Sequence, residues 1–219
     1  MKSAKAVVFD IDGTLSPELS WTFLTKSMGA SVDGHLQIYQ SYKSCELDYK
    51  ESKKQLIDLW NSTGNSNYDY MKAIFDSIAL HNNAKLIIDS ILKSYDICLI
   101  TGSIDIYAKS IADRLGISNY YSNTTLIWQD CKLIDMDYHL DQAELKKEQF
   151  IDYCLRNNFD PNECIVVGDS ENDLGLFDLS KRGVLIGSSD NKALKTKSWK
   201  SVTELSELLS ILNISNDQN

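Results

Sequence analysis

The sequence predicts an α/β fold: a doubly wound, mostly parallel sheet with a helical cap domain inserted after the first strand. Three observations lead there. Four short runs, at 6–9, 97–100, 164–167 and 184–186, are apolar at successive positions rather than alternate ones. Strands read this way when helices cover both faces of their sheet. Between the runs, apolar residues recur with the 3.6-residue period of helices, and strands alternating with helices build doubly wound sheets. The long stretch 17–83 breaks that alternation and carries helical patterns of its own.

Taken in order, the first strand runs into Asp10. Within 17–83 no segment reads convincingly as a strand, but residues 47–60 and the set Met71, Ile74, Phe75 and Ile78 have amphipathic helical spacing. The sequence NSTGNSN at 61–67 has the composition of a connecting loop. Leu86, Ile87, Ile88, Ile91, Leu92 and Tyr95 mark the helix leading into the second strand; Ile104, Tyr107, Ile111 and Leu115 mark the helix leaving it. Residues 125–128 and 133–140 read as a short strand pair. Phe150, Ile151, Cys154 and Leu155 belong to the helix before the third apolar strand, and Leu205, Leu208, Leu209 and Leu212 to the last helix. The polar tail 215–219 reads as a frayed end. The division expected is a core made of 1–16 and 84–219, with 17–83 as the cap.

The chain has 219 residues and a formal net charge of −9. That balance opposes approach to the phosphates of nucleic acid or anionic lipid, where binding depends on excess Lys and Arg. The five cysteines, Cys45, Cys98, Cys131, Cys154 and Cys164, contain no Cys-x-x-Cys pair, so neither a disulfide framework nor a zinc knuckle is indicated. The apolar run before Asp10 is too short for a signal segment, and no stretch approaches the ~20 apolar residues of a spanning helix. A soluble, cytoplasmic protein with no membrane or nucleic-acid partner is the expectation. His35, His81 and His139 share no ligand spacing, and the four tryptophans show no periodicity beyond packing.

The chemistry sits where the strands end. After the first comes Asp10-Ile11-Asp12-Gly13-Thr14; after the second, Thr101-Gly102-Ser103; after the third, Gly168-Asp169-Ser170-Glu171-Asn172-Asp173. The carboxyl ends of strands in an open α/β sheet line the ligand crevice, so these segments converge. Four carboxylates in one small site require a cation, and an all-oxygen, acid-rich site suits Mg²⁺. Thr101 and Gly102, read as the start of a helix, offer neutral donors to an anion such as phosphate. Ser103 reads as the cap of that helix, and Ser170 with Asp173 as a capping pair. Lys146 and Lys147, ahead of the third strand, are the candidates for a balancing lysine.

These three segments, in order and together with a lysine at 147, closely resemble the four motifs of the haloacid dehalogenase superfamily. Within it the sequence is similar to the phosphoserine phosphatase-like branch, through the cap after the first motif, the run GSIDIYAKSIA and the ending GDSENDLGLF. The resemblance implies a Rossmann-like core and a Mg²⁺-dependent phosphatase acting on a small phosphorylated metabolite through an aspartyl-phosphate. Asp10 would be the nucleophile and Asp12 the general acid and base. Asp10, the Asp12 backbone carbonyl and Asp169 would hold Mg²⁺, with Asp173 supporting the metal and its waters. Thr101, Gly102 and Lys147 would bind phosphoryl oxygens. Lys147 is preferred to Lys146 because Phe150, Ile151 and Cys154 then follow at three, four and seven residues.

A phosphotransferase or phosphomutase carries the same motifs. A receiver-like signalling module also places Asp, Thr and Lys around Mg²⁺, but lacks the large insertion and the late Gly-Asp segment. In the resembling phosphoserine phosphatases a cap arginine grips the substrate carboxylate. Here residues 17–83 contain no arginine, the three in the chain being Arg114, Arg156 and Arg182, and Glu18 falls one place early for the glutamate that would grip the amino group. Phosphoserine is therefore not expected to be the best substrate.

Overall fold

The computed structural model describes residues 3–188 and 191–214; the tail 215–219, read above as frayed, lies outside the described residues. Seven strands, β1 (Ala6–Phe9), β2 (Asp96–Ile104), β3 (Asn119–Gln129), β4 (Lys132–Tyr138), β5 (Cys164–Gly168), β6 (Gly183–Ile186) and β7 (Lys200–Val202), form one sheet in the order β4-β3-β2-β1-β5-β6-β7. Every neighbouring pair is parallel except the antiparallel β3–β4 hairpin.

The continuous apolar runs have the cause expected of them. Val7, Phe9, Ile97, Leu99, Ile165 and Val167 point to one face of the sheet, where α5 (Ala84–Leu92), α6 (Asp105–Leu115) and α10 (Glu207–Ile211) pack. Ala6, Val8, Cys98, Ile100, Cys164 and Val166 point to the other, under α7 (Gln142–Arg156), α8 (Leu174–Ser180) and α9 (Lys192–Lys197). Each large side chain fully buried this way contributes roughly 1.5–3 kcal/mol. Strand β7 escaped the sequence pattern because of its three residues only Val202 is buried.

Four helices, α1 (Ser20–Ser27), α2 (Val32–Lys43), α3 (Tyr49–Asn61) and α4 (Tyr68–Ser77), fill the chain between β1 and α5. The side chains of Ser31, Asp48 and Asn67 cap α2, α3 and α4 by accepting from Gly34, Glu51 and Tyr70 amides, each such cap being worth about 1 kcal/mol. The apolar cluster runs without a break from Phe9 and Leu99 into Leu24, Leu56, Trp60 and Phe75 of these helices. A second tie joins α3 to the hairpin: Lys53 Nζ pairs with Asp135 Oδ1 at 2.8 Å, and Tyr49 Oη accepts from the Tyr138 amide at 3.1 Å.

Register aligns the strand ends that matter. Phe9 pairs with Leu99 on one side and Val167 on the other, so Asp10, Thr101 and Asp169 emerge at the same edge of the sheet. One expectation is corrected here. β2 continues through a register shift between Thr101 and Ile104, and α6 begins only at Asp105. Thr101 and Gly102 therefore sit at an irregular strand end rather than in the first turn of a helix, and Ser103 does not cap α6.

Candidate active site

Asp10 is the first residue beyond β1, held by its amide donating to Val167 O at 3.0 Å, while its Oδ1 accepts from the Ile11 amide at 2.7 Å. The chain then folds back on itself, with Thr14, Leu15 and Ser16 amides all donating to Ile11 O. Gly13 makes this turn possible at φ +75°, and a Cβ there would overlap the Asp169 carboxylate. Thr14 Oγ1 donates to Asp169 Oδ1 at 3.1 Å, locking the first strand end to the third. Asp173 returns from a 3₁₀ turn, Glu171–Asp173, so that its Oδ2 accepts from the Asp169 and Ser170 amides at 3.2 and 3.3 Å.

Carboxylate oxygens of Asp10, Asp169 and Asp173 lie within 4.8 Å of one another. At that separation each ionised pair repels by roughly 3–4 kcal/mol at an effective dielectric constant of about 20. Burial, with the Asp173 charge beside it, pushes the Asp169 carboxyl up to about 6, and burial likewise raises that of Asp10. The donor set is all oxygen and rich in charge, which fits a hard divalent cation such as Mg²⁺.

Lysine 146 supplies the only ammonium inside this cluster among the described residues. Its Nζ lies 3.0 Å from Asp10 Oδ2, 2.8 Å from Asp173 Oδ1 and 3.0 Å from Asn172 Oδ1, with no exposed surface. Burial alone would lower its pKa; Asp10 and Asp173 outweigh that and hold it raised, so the amine is protonated. The choice of Lys147 from the sequence is thus corrected. Lys147 Nζ turns outward to pair with Glu144, and its stem packs over Gly175. The inward face of α7 is Lys146, Gln149, Phe150, Tyr153 and Cys154, whereas Ile151 is 42% exposed. Taking Ile151 as a core position rotated the expected face by one residue; Tyr153, seven beyond Lys146, was the signal for the right one.

Asp12 stands apart from the carboxylate cluster. Its Oδ2 accepts from Ser20 Oγ at 2.6 Å, and the Ser20 amide lies 3.2 Å from both its oxygens. Burial raises the Asp12 pKa, opposed chiefly by the bonds from Ser20 and by the Tyr107 phenol. Ser20 Oγ in turn touches Ser103 Oγ, so the second strand end, the inserted helices and Asp12 meet in one buried polar chain. Nothing in the local pattern around Ser20 or Ser103 announces this, because the contact spans 83 positions of sequence. Thr101 is buried at the same strand end, its Oγ1 accepting from the Ser103 amide at 3.3 Å. Gly102 faces Gln142 Oε1 and Asn172, and a Cβ there would crowd the Gln142 amide at 2.9 Å. Asp10, Asp12, Thr101, Gly102 and Asp169 all line one cavity of about 490 Å³ that continues beneath the inserted helices.

A mostly parallel sheet with a carboxylate cluster at its strand ends, a buried lysine and a deep adjoining cavity is an arrangement suited to an α/β enzyme. The family model for haloacid dehalogenase-like hydrolases matches residues 4–176, and the chain belongs to that family. A search of curated proteins by sequence gives no match. Among solved structures, a phospho-aspartyl intermediate analogue of phosphoserine phosphatase superposes with a TM-score of 0.73 at 19% identity, covering 96% of this chain and 99% of that one. A HAD family hydrolase from Salmonella enterica subsp. enterica serovar Typhi gives 0.79 at 21% identity, covering 98% and 72%. A probable phosphoserine phosphatase from Vibrio cholerae gives 0.75 at 16% identity, covering 97% and 65%. Among the described residues, no helix is long and apolar enough to cross a membrane.

Proposed function

We propose that this chain is a Mg²⁺-dependent phosphomonoesterase that works through an aspartyl-phosphate on Asp10. The observation that carries the reading is the separation of two kinds of carboxylate: Asp10 ion-paired to Lys146 among the clustered acids, and Asp12 turned away onto Ser20. A nucleophile must be ionised and a general acid must hold a proton, so the two need different surroundings.

In the first step an Asp10 carboxylate oxygen attacks phosphorus and the bond from phosphorus to the ester oxygen breaks, the leaving oxygen taking the proton of Asp12. In the second, Asp12, now a carboxylate, removes a proton from water as that water attacks phosphorus, and the bond to Asp10 breaks to release inorganic phosphate. Thr101 and the Gly102 amide would hold the phosphoryl oxygens. Lys146, rather than Lys147, would orient the Asp10 carboxylate and offset charge gathering on the phosphoryl group. Held by Asp10, the Asp12 backbone carbonyl and Asp169, with Asp173 in support, Mg²⁺ would neutralise phosphoryl oxygens in the transition state. Residues 17–83 would act as the cap, since their Ser20 reaches Asp12 and their helices roof the cavity.

The test is release of inorganic phosphate from a phosphomonoester in Mg²⁺ buffer, with Asp10→Asn as the blank. Phosphate release by wild type alone supports the reading. Transfer of the phosphoryl group to an added alcohol instead of water would move it to a phosphotransferase.

A further inference from the structure

We infer that the leaving group this enzyme accepts is an uncharged alcohol carrying an aromatic ring, seated against a wall built from Trp21, Tyr138 and Tyr49. The inference rests on the phosphatase reading for the reaction, but on separate residues for the specificity. The three rings form a contiguous surface on the cavity: Trp21 meets Tyr138 edge-on at 6.0 Å between centroids, and Tyr138 stacks with Tyr49 at 6.3 Å.

This wall is built before any ligand arrives. Trp21 stacks at 6.1 Å on the fully buried Trp60, whose Nε1 donates to Thr25 Oγ1 at 2.9 Å. Tyr138 is on a strand and its amide donates to Tyr49 Oη. Pre-positioned rings lose little freedom on binding, and ring-to-ring contacts add about 0.5–1.5 kcal/mol beyond buried area. The outer rim continues the same chemistry, since Leu19, Leu36 and Tyr39 border the cavity with 61%, 42% and 52% of their surface exposed. A volume of about 490 Å³ falls within the ~300–1,000 Å³ of drug-sized ligand sites.

Charge argues for a neutral leaving group. Among the described residues lining the cavity, the carboxylates are Asp10, Asp12 and Asp169, all at the phosphate end, and Lys53 is the one cation. Lys53 is already paired with Asp135 at 2.8 Å, so a substrate carboxylate would have to share or displace that partner. It also lies 5.5 Å from the Tyr49 ring centroid, so a cation already occupies part of the surface that a quaternary ammonium would need. An amino acid ester would therefore meet, among the described lining residues, only a lysine whose charge Asp135 already offsets as partner for its carboxylate.

The test compares kcat/KM for 2-phenylethyl phosphate, ethyl phosphate, O-phosphoserine and phosphocholine, all esters of unconjugated alcohols. The expected result is 2-phenylethyl phosphate ahead of ethyl phosphate by at least about tenfold, or about 1.4 kcal/mol, and ahead of the two charged esters by more. Tyr138→Leu should cut that ratio and Tyr138→Phe restore it; a ratio on one preparation does not depend on how much of the variant is folded. Equal ratios in wild type and Tyr138→Leu, or a lead for phosphoserine or phosphocholine, would overturn the inference. Calorimetric binding of 3-phenylpropylphosphonate against propylphosphonate reads the same wall without turnover. A phenyl preference there with no ester hydrolysed would uphold the ring site and sink the phosphatase reading. Brisk hydrolysis without any phenyl preference would do the reverse.

Discussion

Lys146 Nζ lies 3.0 Å from Asp10 Oδ2, and both side chains are buried. One ammonium is thereby shared between the proposed nucleophile and Asp173, and its removal leaves buried carboxylates facing each other without a counter-charge. Lys146→Ala should lower kcat by roughly 10²–10³, the scale on which loss of one group that stabilises transition-state charge is felt. Lys147→Ala should stay within about twofold of wild type, as befits a surface ion pair. Steady-state kinetics on both variants, each checked for folding by circular dichroism, decide between the two lysines.

The bonds from Ser20 hold the Asp12 pKa below where burial alone would put it. Asp12→Asn should cost about 10²–10⁴ in kcat, the usual contribution of general acid–base help. In Ser20→Ala the Asp12 pKa rises, so the protonated acid persists to higher pH and the alkaline limb of the kcat profile moves upward. One hydrogen bond to a charged group is worth ~1.5–3 kcal/mol, so the shift should be about one pH unit or more. An unmoved limb would remove Asp12 from the acid role.

Metal removal should be visible in stability as well as activity. At a hundredfold excess over its Kd, a cation that binds only the folded chain adds about 2.7 kcal/mol, or roughly 5–10 °C in Tm at this size. Mg²⁺ added to EDTA-treated protein should therefore raise Tm, and Asp169→Ala should lose most of that rise. A full rise in the variant would place the cation elsewhere.

His35 gives the fold a pH dependence independent of the carboxylates. It is buried against Trp21 and Trp60, with its Nδ1 2.7 Å from Thr25 Oγ1, and burial lowers its pKa. Unfolded, it takes up a proton near pH 6.5; folded, it resists until lower pH. Its contribution is thus complete above about pH 6.5 and is lost as pH falls toward the folded-state value, with a slope of up to about 1.4 kcal/mol per unit. Urea unfolding between about pH 5 and 7.5 should show a shallower slope for His35→Gln than for wild type.

What could be read in advance and what could not divide along sequence distance. Strands β1, β2, β5 and β6 were legible because both faces are buried, Asp10 and Asp169 because each directly follows such a strand, and Thr101 because it follows the apolar run 97–100 within β2. The helical nature of 17–83 showed in its period. Of the two candidate lysines, Lys147 is preferred in the sequence to Lys146 through one ambiguous position, Ile151, an apolar residue that α7 turns to solvent. Ser20 and the ring wall had no local signature. Trp21, Tyr49 and Tyr138 come from two inserted helices and a hairpin, and only the packing of α3 on β4 brings them together.

The covalent intermediate is the centre of this account, and rapid acid quench during turnover, followed by proteolysis and mass spectrometry, tests it most directly. The expected result is a phosphoryl group on the peptide containing Asp10 in wild type, accumulating in Asp12→Asn if water activation becomes limiting, and absent in Asp10→Asn. Turnover in Asp10→Asn at the wild-type rate, or phosphate carried on any other residue, would contradict it.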